Sequence, residues 1–394
     1  MSQAAADAAF SKGLEGIIAG ETSICSIEQG GLFYRGYEIH DLAQNATFDE
    51  VAFLLLEGHK PGKSELDRFK AEIRKERPLP ANITRFLQES GPALKAGTAV
   101  PMDVLRSAVS ILGHTDPDCQ SVAADANLRK AKRLLAKIPT VIGQMQNVID
   151  GRPLVAPETG GDPALDHAAN LMYLMSGTKP SPDYARVIDV SLILYAEHDF
   201  NASTFTSRVI AGTLSDMHGA SAGAIAALKG PLHGGANEMA MEMLKEIMHD
   251  VGEAGIGTPK VDDWMHRAFE TKRKLMGFGH RVYKEGDPRA RILREMSGTL
   301  TRETGQSHLY EMSVRIDDVM QREKGLLPNV DFYSATVYHS MGIPHDLFTP
   351  VFAMSRVAGW CAHVMEQYAN NRIYRPRGRY RGPTGLRYEP IDRR

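Results

Sequence analysis

Residues 47–58 read TFDEVAFLLLEG, and this stretch carries the clearest signals for the fold class. Thr47 and Glu50 have the spacing of a capping box, in which each side chain accepts a hydrogen bond from the other residue's backbone amide at a helix start. An apolar run follows, and Gly58 and Pro61 end it. The pattern predicts a short, mostly apolar helix.

Similar start and stop signals recur along the chain, and the predicted helices cover residues 65–77, 101–113, 124–148, 162–177, 182–198 and 202–228. Pro139 lies inside one of them and predicts a kink. The glycines and alanines of 219–224 predict close contact between helices. Residues 22–37 differ, because two runs at 22–27 and 32–37 flank a turn at 29–31, which predicts a hairpin. The sequence therefore predicts an all-α fold with a short N-terminal β-hairpin.

The composition excludes several classes of protein. The 394 residues include 46 Lys and Arg against 48 Asp and Glu, so the formal net charge is −2. This near-neutral balance argues against a protein that coats nucleic acid or an anionic membrane. The sequence has no apolar run near the ~20 residues that a membrane-spanning helix needs. Residues 1–13 resemble neither a secretory signal nor an Arg-rich transit peptide, so we expect a cytoplasmic protein.

The three cysteines, Cys25, Cys119 and Cys361, lie far apart in the sequence and form no C-x-x-C pair. This spacing argues against a disulfide framework and against a structural zinc site. We therefore expect three buried thiols in a reducing compartment.

The C-terminal segment 371–394 contains eight arginines, with Tyr, Gly and Pro between them. One interpretation is a segment that contacts RNA. The other is a solvated arm that lies over the body of the protein or over a partner subunit. The second is favoured, because the rest of the chain is acidic enough to cancel this charge.

Three polar clusters in the second half carry candidate chemistry, whereas the sequence has no phosphate-binding P-loop, no H-E-x-x-H zinc helix and no G-x-S-x-G elbow. The first cluster is PLHGGANE at 231–238, with His233 just before a predicted helix. The positive end of a helix dipole disfavours imidazolium, so we expect a neutral histidine that donates a hydrogen bond. A histidine that only caps its own helix explains this stretch equally well.

The second cluster is MGFGHRVY at 276–283, followed by DPR at 287–289. His280 lies in a glycine-flanked loop with Arg289 nine residues later, an arrangement that suits an anionic substrate beside a proton donor. The basic residues at 272–274 form either a phosphate-binding group or only a solvated turn.

The third cluster is LPNVDFY at 327–333. Asp331 lies among apolar neighbours, where burial raises the pKa of a carboxyl and makes it a better base. The local sequence favours the simpler interpretation, in which Asp331 caps the helix that follows. Spacing alone does not bring the three clusters together.

In this order, the three clusters resemble the citrate synthase family. The resemblance extends from Gly13 to Pro376 and includes LFYRGY at 32–37, AEHDFNAST at 196–204 and residues 352–360. It implies an almost all-helical homodimer whose subunits each have a large and a small domain, with the active site in the cleft between them. The matching residue ranges are 1–233 for the first part of the large domain, 234–332 for the small domain, and 333–394 for the rest of the large domain and a C-terminal arm.

The resemblance implies a catalytic set of His233, His280 and Asp331. Asp331 removes a proton from the carbon next to the thioester carbonyl of an acyl-CoA, and neutral His233 stabilises the resulting enol or enolate. His280 polarises the ketone of oxaloacetate so that the enol carbon attacks it, and hydrolysis of the adduct releases CoA. The implied enzyme is an acyltransferase whose only carrier is its CoA substrate, with no metal and no other cofactor.

The resemblance also implies the binding residues. His198, Arg289 and Arg356 match the family's oxaloacetate ligands, and Arg375 matches an arginine that reaches the partner subunit's site. The segment that matches the family's CoA contacts consists of Arg273, Lys274, Leu275, Met276 and Gly277. The expected partners are thus oxaloacetate, an acyl-CoA and a second copy of the chain, without a membrane or nucleic acid.

The sequence leaves the acyl group open. Citrate synthases use acetyl-CoA and 2-methylcitrate synthases use propionyl-CoA, and one methyl group is worth only ~1–3 kcal/mol in a hydrophobic pocket. Tyr195 resembles the 2-methylcitrate branch, whereas Val330 resembles the citrate branch. We favour citrate synthase, with propionyl-CoA as a second substrate. Two other classes stay open: an RNA-binding helical protein that uses its arginine-rich tail, and a catalytically inactive scaffold.

Overall fold

The structure is a computed structural model that describes residues 11–27, 30–154, 160–280 and 282–394. These residues form sixteen α-helices: α1 (Ile39–Asn45), α2 (Phe48–Glu57), α3 (Lys63–Glu76), α4 (Ala81–Lys95), α5 (Pro101–Thr115), α6 (Ala124–Ile149), α7 (His167–Ser176), α8 (Pro182–Tyr195), α9 (Ala202–Ala211), α10 (Met217–Leu228), α11 (Ala236–Val251), α12 (Pro259–Glu270), α13 (Pro288–Glu303), α14 (Ser307–Lys324), α15 (Val330–Ser340) and α16 (Phe348–Ala369). Short 3₁₀ helices cover Lys12–Leu14, Glu253–Gly255, His345–Leu347 and Ile391–Arg393. The predicted all-α class is confirmed. The expectation that the N-terminus is neither a secretory signal nor a transit peptide rests on residues 1–13, and residues 1–10 lie outside the described residues.

The N-terminal hairpin is a small antiparallel sheet of three strands, β1 (Cys25–Ser26), β2 (Phe33–Tyr34) and β3 (Tyr37–Glu38), in that order. The predicted second strand at 32–37 is broken because Arg35 and Gly36 both have positive φ, 49° and 89°. Such a pair forms the two-residue turn that suits the twist of a tight hairpin. The turn expected at 29–31 lies partly outside the described residues.

Helix α2 confirms the capping box, because Thr47 accepts from the amide of Glu50 and the Glu50 side chain accepts from the amide of Thr47. Gly58 ends the helix in the left-handed conformation. The helix is buried almost throughout and packs against α16, the long central helix.

The single helix predicted over 202–228 is wrong, because the chain forms α9 and α10 with a break between them. Leu214 in the break has a φ of 63°, and an L-residue in this conformation does not continue a right-handed helix. Asp216 then caps α10, and its Oδ1 accepts a hydrogen bond from the amide of Gly219 at 2.8 Å.

The close helix contact expected at 219–224 is confirmed, because a Cβ on Gly223 would lie 2.3 Å from Cδ1 of Ile210. Helix α6 continues through Pro139 as one element. Helix α7 begins at His167 rather than at 162, because the side chain of Asp166 caps it.

Helix α16 lies at the centre of the core and contacts α2, α6, α8, α9 and α10, with Trp360 fully buried within it. Helices α11 and α13 both pack on α15, which carries Asp331 near its start. The division of the chain at 234 and 332 stays a prediction. No described helix combines the length and the apolar character needed to cross a bilayer.

All three cysteines are free thiols. Cys25 and Cys361 are buried as expected, but the prediction for Cys119 is wrong, because this residue is partly exposed in the loop that follows α5.

Candidate active site

The loop after α8 and the loop before α13 meet through their histidines. His198 is buried, and its Nε2 lies 3.0 Å from the hydroxyl of Tyr283. Its ring stands edge-on to that of His280, with the ring centroids 5.1 Å apart. Burial lowers the pKa of His198 well below its ordinary value, and the nearby Arg289 acts in the same direction. The motifs at 196–204 and 276–283 are therefore neighbours in the fold.

His280 is held by the backbone of its own loop. Its Nδ1 accepts hydrogen bonds from the amides of Val282 at 3.1 Å and Tyr283 at 3.3 Å. Because an amide can only donate, the proton of the neutral ring is on Nε2. Burial, helped by Arg289, lowers the pKa of His280 to about 4. The ring is thus a neutral donor through Nε2 at pH 7.

The loop that carries His280 is fixed to the start of α15. The amide of Asn329 donates to the carbonyl of Gly277, and the amide of Gly279 donates to the carbonyl of Leu327, each at 2.9 Å. Gly277 has a φ of 85°, and a Cβ there would lie 2.8 Å from Cβ of Phe332. Glycine is needed at this position for both reasons. The second and third clusters therefore form one unit.

Asp331 is buried in the first turn of α15. The alternative that it caps this helix is wrong, because Asn329 is the N-cap and accepts from the amide of Asp331 at 3.0 Å. The Asp331 carboxylate is left to accept from the hydroxyl of Tyr195 at 3.1 Å. Burial raises the pKa of Asp331 to about 7, although Arg289 and the Tyr195 hydrogen bond act to lower it.

Tyr195 joins the first cluster to the third. Its hydroxyl lies 2.7 Å from Oγ of Ser334 and accepts a hydrogen bond from Nδ2 of Asn237 at 3.1 Å. Asn237 belongs to the 231–238 motif and also donates to Ser334 at 2.7 Å. The buried network fixes the direction of the Tyr195 hydroxyl, and hence the position of the Asp331 carboxylate.

His233 lies half-buried in the turn before α11. The interpretation that it caps this helix is wrong, because Gly235 is the N-cap residue. Nε2 of His233 accepts from the amide of Ser203 at 3.2 Å and lies 2.8 Å from the Ser203 hydroxyl. Trp360 fixes that hydroxyl by donating to it at 3.1 Å. The proton of the neutral ring is therefore on Nδ1, and burial, aided by Arg356, lowers the pKa of His233 to about 3.

Two buried arginines supply positive charge. Arg289 is held by Asp287 through two parallel hydrogen bonds, from Nε at 2.9 Å and from Nη2 at 2.8 Å. Arg356 is 1% exposed, and its Nε donates to the carbonyl of Tyr195 at 2.6 Å. Its Nη1 is buried without a hydrogen-bond partner among the described residues. An unpaired buried guanidinium nitrogen is costly, so this geometry suits an anionic ligand.

A cavity of about 370 Å³ is lined in part by Pro231 and Leu232, which directly precede His233 in the chain. Its walls come from the 231–238 motif, from one face of α11 and from the segment at 273–276; the lining residues include Leu232, Met239, Met243, Arg273, Lys274 and Met276. Arg273 pairs with both carboxylate oxygens of Glu246 and stacks on the ring of Trp264 at 5.0 Å. The cavity is lined mainly by apolar side chains, together with two basic residues, Arg273 and Lys274, and two acidic ones, Glu242 and Glu246.

The family model "Citrate synthase, C-terminal domain" matches residues 13–377. The chain is 46% identical to citrate synthase 2 of Bacillus subtilis, with 97% of this chain and 99% of that protein aligned. The chain belongs to the citrate synthase family. It is also 44% identical to a 2-methylcitrate synthase of Shewanella oneidensis, over 97% of each chain.

Solved structures of citrate synthases share this fold. The citrate synthase of Thermoplasma acidophilum, in a ternary complex with carboxymethyl coenzyme A and oxaloacetate, has a TM-score of 0.89 at 30% identity over 98% of this chain and 99% of that one. The citrate synthase of Pyrobaculum aerophilum has a TM-score of 0.86 at 40% identity over 97% and 95%. As a member of the citrate synthase family, the protein is an enzyme that transfers an acyl group from CoA.

The structure brings together six of the residues that the family resemblance singled out: His198, His233, His280, Arg289, Asp331 and Arg356. Arg375 is apart from them in this single chain: it is exposed, and its Nη1 donates to the carbonyl of Pro376 at 2.6 Å. The arm at 371–394 is exposed except for Tyr374. Whether Arg375 serves a partner subunit's citrate synthase site stays a prediction.

Sequence reasoning missed several residues that hold the candidate catalytic side chains in position. Ser203 and Asn237 lie inside the quoted motifs at 196–204 and 231–238, yet neither was assigned a role. Tyr283 ends the motif at 276–283 and Ser334 directly follows the motif at 327–333, and neither was assigned a role. Their signal was their place in or beside a motif together with a hydrogen-bonding side chain, but only the fold shows which catalytic group each one contacts.

Proposed function

We propose that the protein condenses acetyl-CoA with oxaloacetate and hydrolyses the adduct to citrate and CoA. One observation carries this proposal: two neutral histidines, each with its acceptor nitrogen bound by a backbone amide so that the other nitrogen is the donor, accompany a buried carboxyl, Asp331, of raised pKa. This set matches the needs of a reaction that removes a weakly acidic proton and then joins two carbonyl compounds.

Asp331 is the proposed base. The α-proton of a thioester is far too weakly acidic for a free carboxylate at pH 7, so the base needs both a raised pKa and a fixed position. Burial supplies the first and the Tyr195 hydroxyl supplies the second. The proton moves from the acetyl carbon to the Asp331 carboxylate as the C–H bond breaks.

His233 is the proposed partner of the thioester oxygen. Its Nδ1–H donates to that oxygen as negative charge develops there, and the Ser203 amide on Nε2 keeps the ring in this tautomer. The lowered pKa of His233 keeps the ring neutral, so it stabilises the enol or enolate by hydrogen bonding and not as a formal cation.

His280 is the proposed partner of oxaloacetate. Its Nε2–H donates to the ketone oxygen, which becomes an alkoxide as the enol carbon forms the new C–C bond. The alkoxide takes up one proton, which is balanced by release of the proton that Asp331 removed, so Asp331 returns to its carboxylate form. Arg356, Arg289 and His198 bind the two carboxylates, with the unpaired Nη1 of Arg356 as the clearest anion contact. Water then cleaves the thioester of the adduct, which gives citrate and CoA.

The cavity of about 370 Å³ is the proposed place for CoA. The apolar walls suit the pantetheine chain, and the segment from Arg273 to Gly277 places Lys274 at the edge for phosphate contacts. Arg273 is paired with Glu246, so it contributes to CoA binding only if a phosphate group replaces Glu246 as its partner. The proposed reaction uses no metal and no cofactor beyond the CoA thioester itself.

The proposed assembly is a homodimer of two-domain subunits, with 234–332 as the small domain and the rest as the large domain. Closure of the cleft between them excludes water during condensation. The exposure of the 371–394 arm supports its use on a partner, where Arg375 reaches the second site. Truncation before Arg375 then damages condensation kinetics. A cytoplasmic location is part of the proposal and is supported by three free thiols.

The second candidate is 2-methylcitrate synthase, which is favoured by the Shewanella oneidensis relative and by Tyr195, the residue that resembles the 2-methylcitrate branch and contacts the proposed base. Thiol release with oxaloacetate and either acetyl-CoA or propionyl-CoA separates the two. We expect a higher kcat/KM for acetyl-CoA, with measurable turnover of propionyl-CoA. A preference above about tenfold for propionyl-CoA, within the range that one methyl group allows, reverses the assignment.

A further inference from the structure

A second cluster of reactive side chains lies at the far end of α10 from His233. It consists of Cys119 in the loop after α5, Asp216 at the N-cap of α10, and His218 in the first turn of that helix. One ligand atom from each residue lies within 4.8 Å of the other two. We call these three residues the Cys119 cluster.

His218 gives the strongest sign that the cluster binds a ligand. Its side chain is 3% exposed, and its Nδ1 is buried without a hydrogen-bond partner among the described residues. Its Nε2 lies 3.4 Å from Oδ2 of Asp116. Its Nδ1 lies 3.9 Å from Oδ1 of Asp216, which is too far for a hydrogen bond. A cation between them would take this nitrogen and the Asp216 carboxylate as ligands, with Asp116 beside the other ring nitrogen as the supporting group.

Asp116 is itself held in place. Nη1 of Arg133 lies 2.7 Å from one oxygen of Asp116 and 2.8 Å from an oxygen of Asp118. Arg133 and Lys130, whose ammonium donates to the carbonyls of Cys119 and Ser121, are the nearby cations. Arg133 thus balances the supporting carboxylate, which leaves Asp216 and the thiol to balance the charge of a bound cation.

A thiol, a histidine and a carboxylate together also suggest a nucleophilic cysteine, but the electrostatics disfavour that use. A reactive thiol has a lowered pKa, usually because a cation is beside it. Burial raises the pKa of Cys119, and so does Asp216, which accepts a hydrogen bond from the thiol. A divalent cation at this position reverses the effect, because a coordinated thiol loses its proton.

We propose that Cys119, Asp216 and His218 bind one zinc ion, with water as the fourth ligand. Thiolate, imidazole and carboxylate are the ligand types that zinc takes, and tetrahedral bonds of ~2.0–2.3 Å place ligand atoms about 3.5 Å apart. The three ligand atoms lie within 4.8 Å of one another, so the side chains have to close by roughly 1 Å to reach that spacing. Thiolate and carboxylate then neutralise the ion.

The zinc ion has a structural role in this proposal. It ties the loop after α5 to the break between α9 and α10, where the backbone is irregular. Helix α10 has 12 residues, about 18 Å at 1.5 Å per residue, and it separates the Cys119 cluster from His233. The ion therefore takes no part in the condensation. The spacing rule for zinc sites missed it, because Cys119 lies far in sequence from the Asp-x-His pair.

The test uses the untagged full-length protein, freed of metal with a chelator, and titrates it with Co²⁺ and with Zn²⁺. We expect one equivalent to bind, a thiolate-to-cobalt absorption band, and a rise in Tm with Zn²⁺. Cys119→Ser is expected to lose the band and at least about tenfold in zinc affinity. Metal-free Cys119→Ser is expected to match metal-free wild type in turnover and Tm, which separates metal loss from misfolding.

His249→Gln is the matched control, because His249 is an exposed histidine whose Nδ1 lies 3.2 Å from the Asp250 carboxylate, away from the Cys119 cluster. It is expected to bind both metals as wild type does. The proposal is overturned if wild type gives no thiolate-to-cobalt band, or if Cys119→Ser binds Zn²⁺ as tightly as wild type. Loss of binding in His249→Gln alone also overturns it, since the metal is then on the surface.

Discussion

His233 and His280 present opposite ring nitrogens to the pocket, although backbone amides hold both of them. The Ser203 amide takes Nε2 of His233 and leaves Nδ1 as the donor, whereas the amides of Val282 and Tyr283 take Nδ1 of His280 and leave Nε2. The two loops thus hold one donor each, of opposite tautomer, and in the proposed mechanism these donors serve two different carbonyl groups. The chemistry of a histidine is set here by the loop that binds its other nitrogen.

Asp331 differs from both histidines, because its properties come from burial on a helix and not from a loop amide. Burial raises the pKa of the Asp331 carboxyl and lowers the pKa of both rings, so one physical cause prepares a base and two neutral donors.

The largest expected effect is the loss of the helix-borne base. Asp331→Ala and Asp331→Asn are both expected to lower kcat by ~10²–10⁴-fold, the usual cost of losing a general base. Oxaloacetate binding, measured by calorimetry, should persist because Arg356 and Arg289 are unchanged. Wild-type turnover in either variant would remove Asp331 from the mechanism.

The next effect tests the opposite tautomers directly. An asparagine amide places its nitrogen near the position of Nδ1, and a glutamine amide places it near Nε2. We therefore expect His233→Asn to retain more kcat than His233→Gln, and His280→Gln to retain more than His280→Asn. The poorer variant of each pair should lose ~10²–10³-fold, as for a missing oxyanion donor, and the better one about tenfold less.

The decisive outcome is the crossover between the two positions. If the same residue, asparagine or glutamine, retains more kcat at both positions, then His233 and His280 do not use different tautomers in the working enzyme. Circular dichroism and Tm of all four variants separate a folding defect from a loss of donation.

A smaller effect is expected from the charge that faces oxaloacetate. Arg356→Leu removes a charged hydrogen-bond donor worth ~1.5–3 kcal/mol, so KM for oxaloacetate should rise about 10- to 100-fold. Arg273→Gln is the matched control, because Arg273 lines the CoA cavity and pairs with Glu246. It should leave KM for oxaloacetate unchanged, and an unchanged value in Arg356→Leu would contradict the anion site.

Much of the fold followed from local signals. The capping box of Thr47 and Glu50 predicted α2 correctly, because a helix start depends on residues a few positions apart. The break between α9 and α10 was missed, because the left-handed Leu214 has no local signal, and the aspartate cap at 216 was overlooked. The backbone conformation of Leu214 and the cap at Asp216 show this break in the structure more clearly than the sequence does.

The candidate site, like the fold, was predicted only in part from the sequence. The motifs singled out His233, His280 and Asp331, but not which ring nitrogen each histidine presents, because Ser203 lies thirty residues from His233 in the chain. Contacts such as Asn237 with Tyr195 cross even longer separations. Residue types alone left capping roles open for His233 and Asp331, and the resemblance to the citrate synthase family predicted the chemistry. Only the fold could supply the hydrogen-bond partners of these side chains.

The smallest expected effect concerns the link between Tyr195 and the base. In the proposed mechanism the carboxylate form of Asp331 is the active one, so kcat should fall as the pH drops through the pKa of about 7. The pKa values of about 3 for His233 and about 4 for His280 keep both rings neutral between pH 5 and 7, so a single acid limb is expected there.

Tyr195→Phe removes a hydrogen bond that lowers the pKa of Asp331, so the acid limb should move to higher pH by less than about one unit, worth ~1.4 kcal/mol. Tyr338→Phe is the matched control, because the hydroxyl of this buried tyrosine contacts Ser191 and not the base. If the acid limb of the wild-type pH profile lies near the ordinary pKa of an aspartate, the proposed effect of burial on the base is contradicted. A shift to lower pH in Tyr195→Phe would show that the tyrosine stabilises the protonated acid, and that the base is tuned by its helix alone.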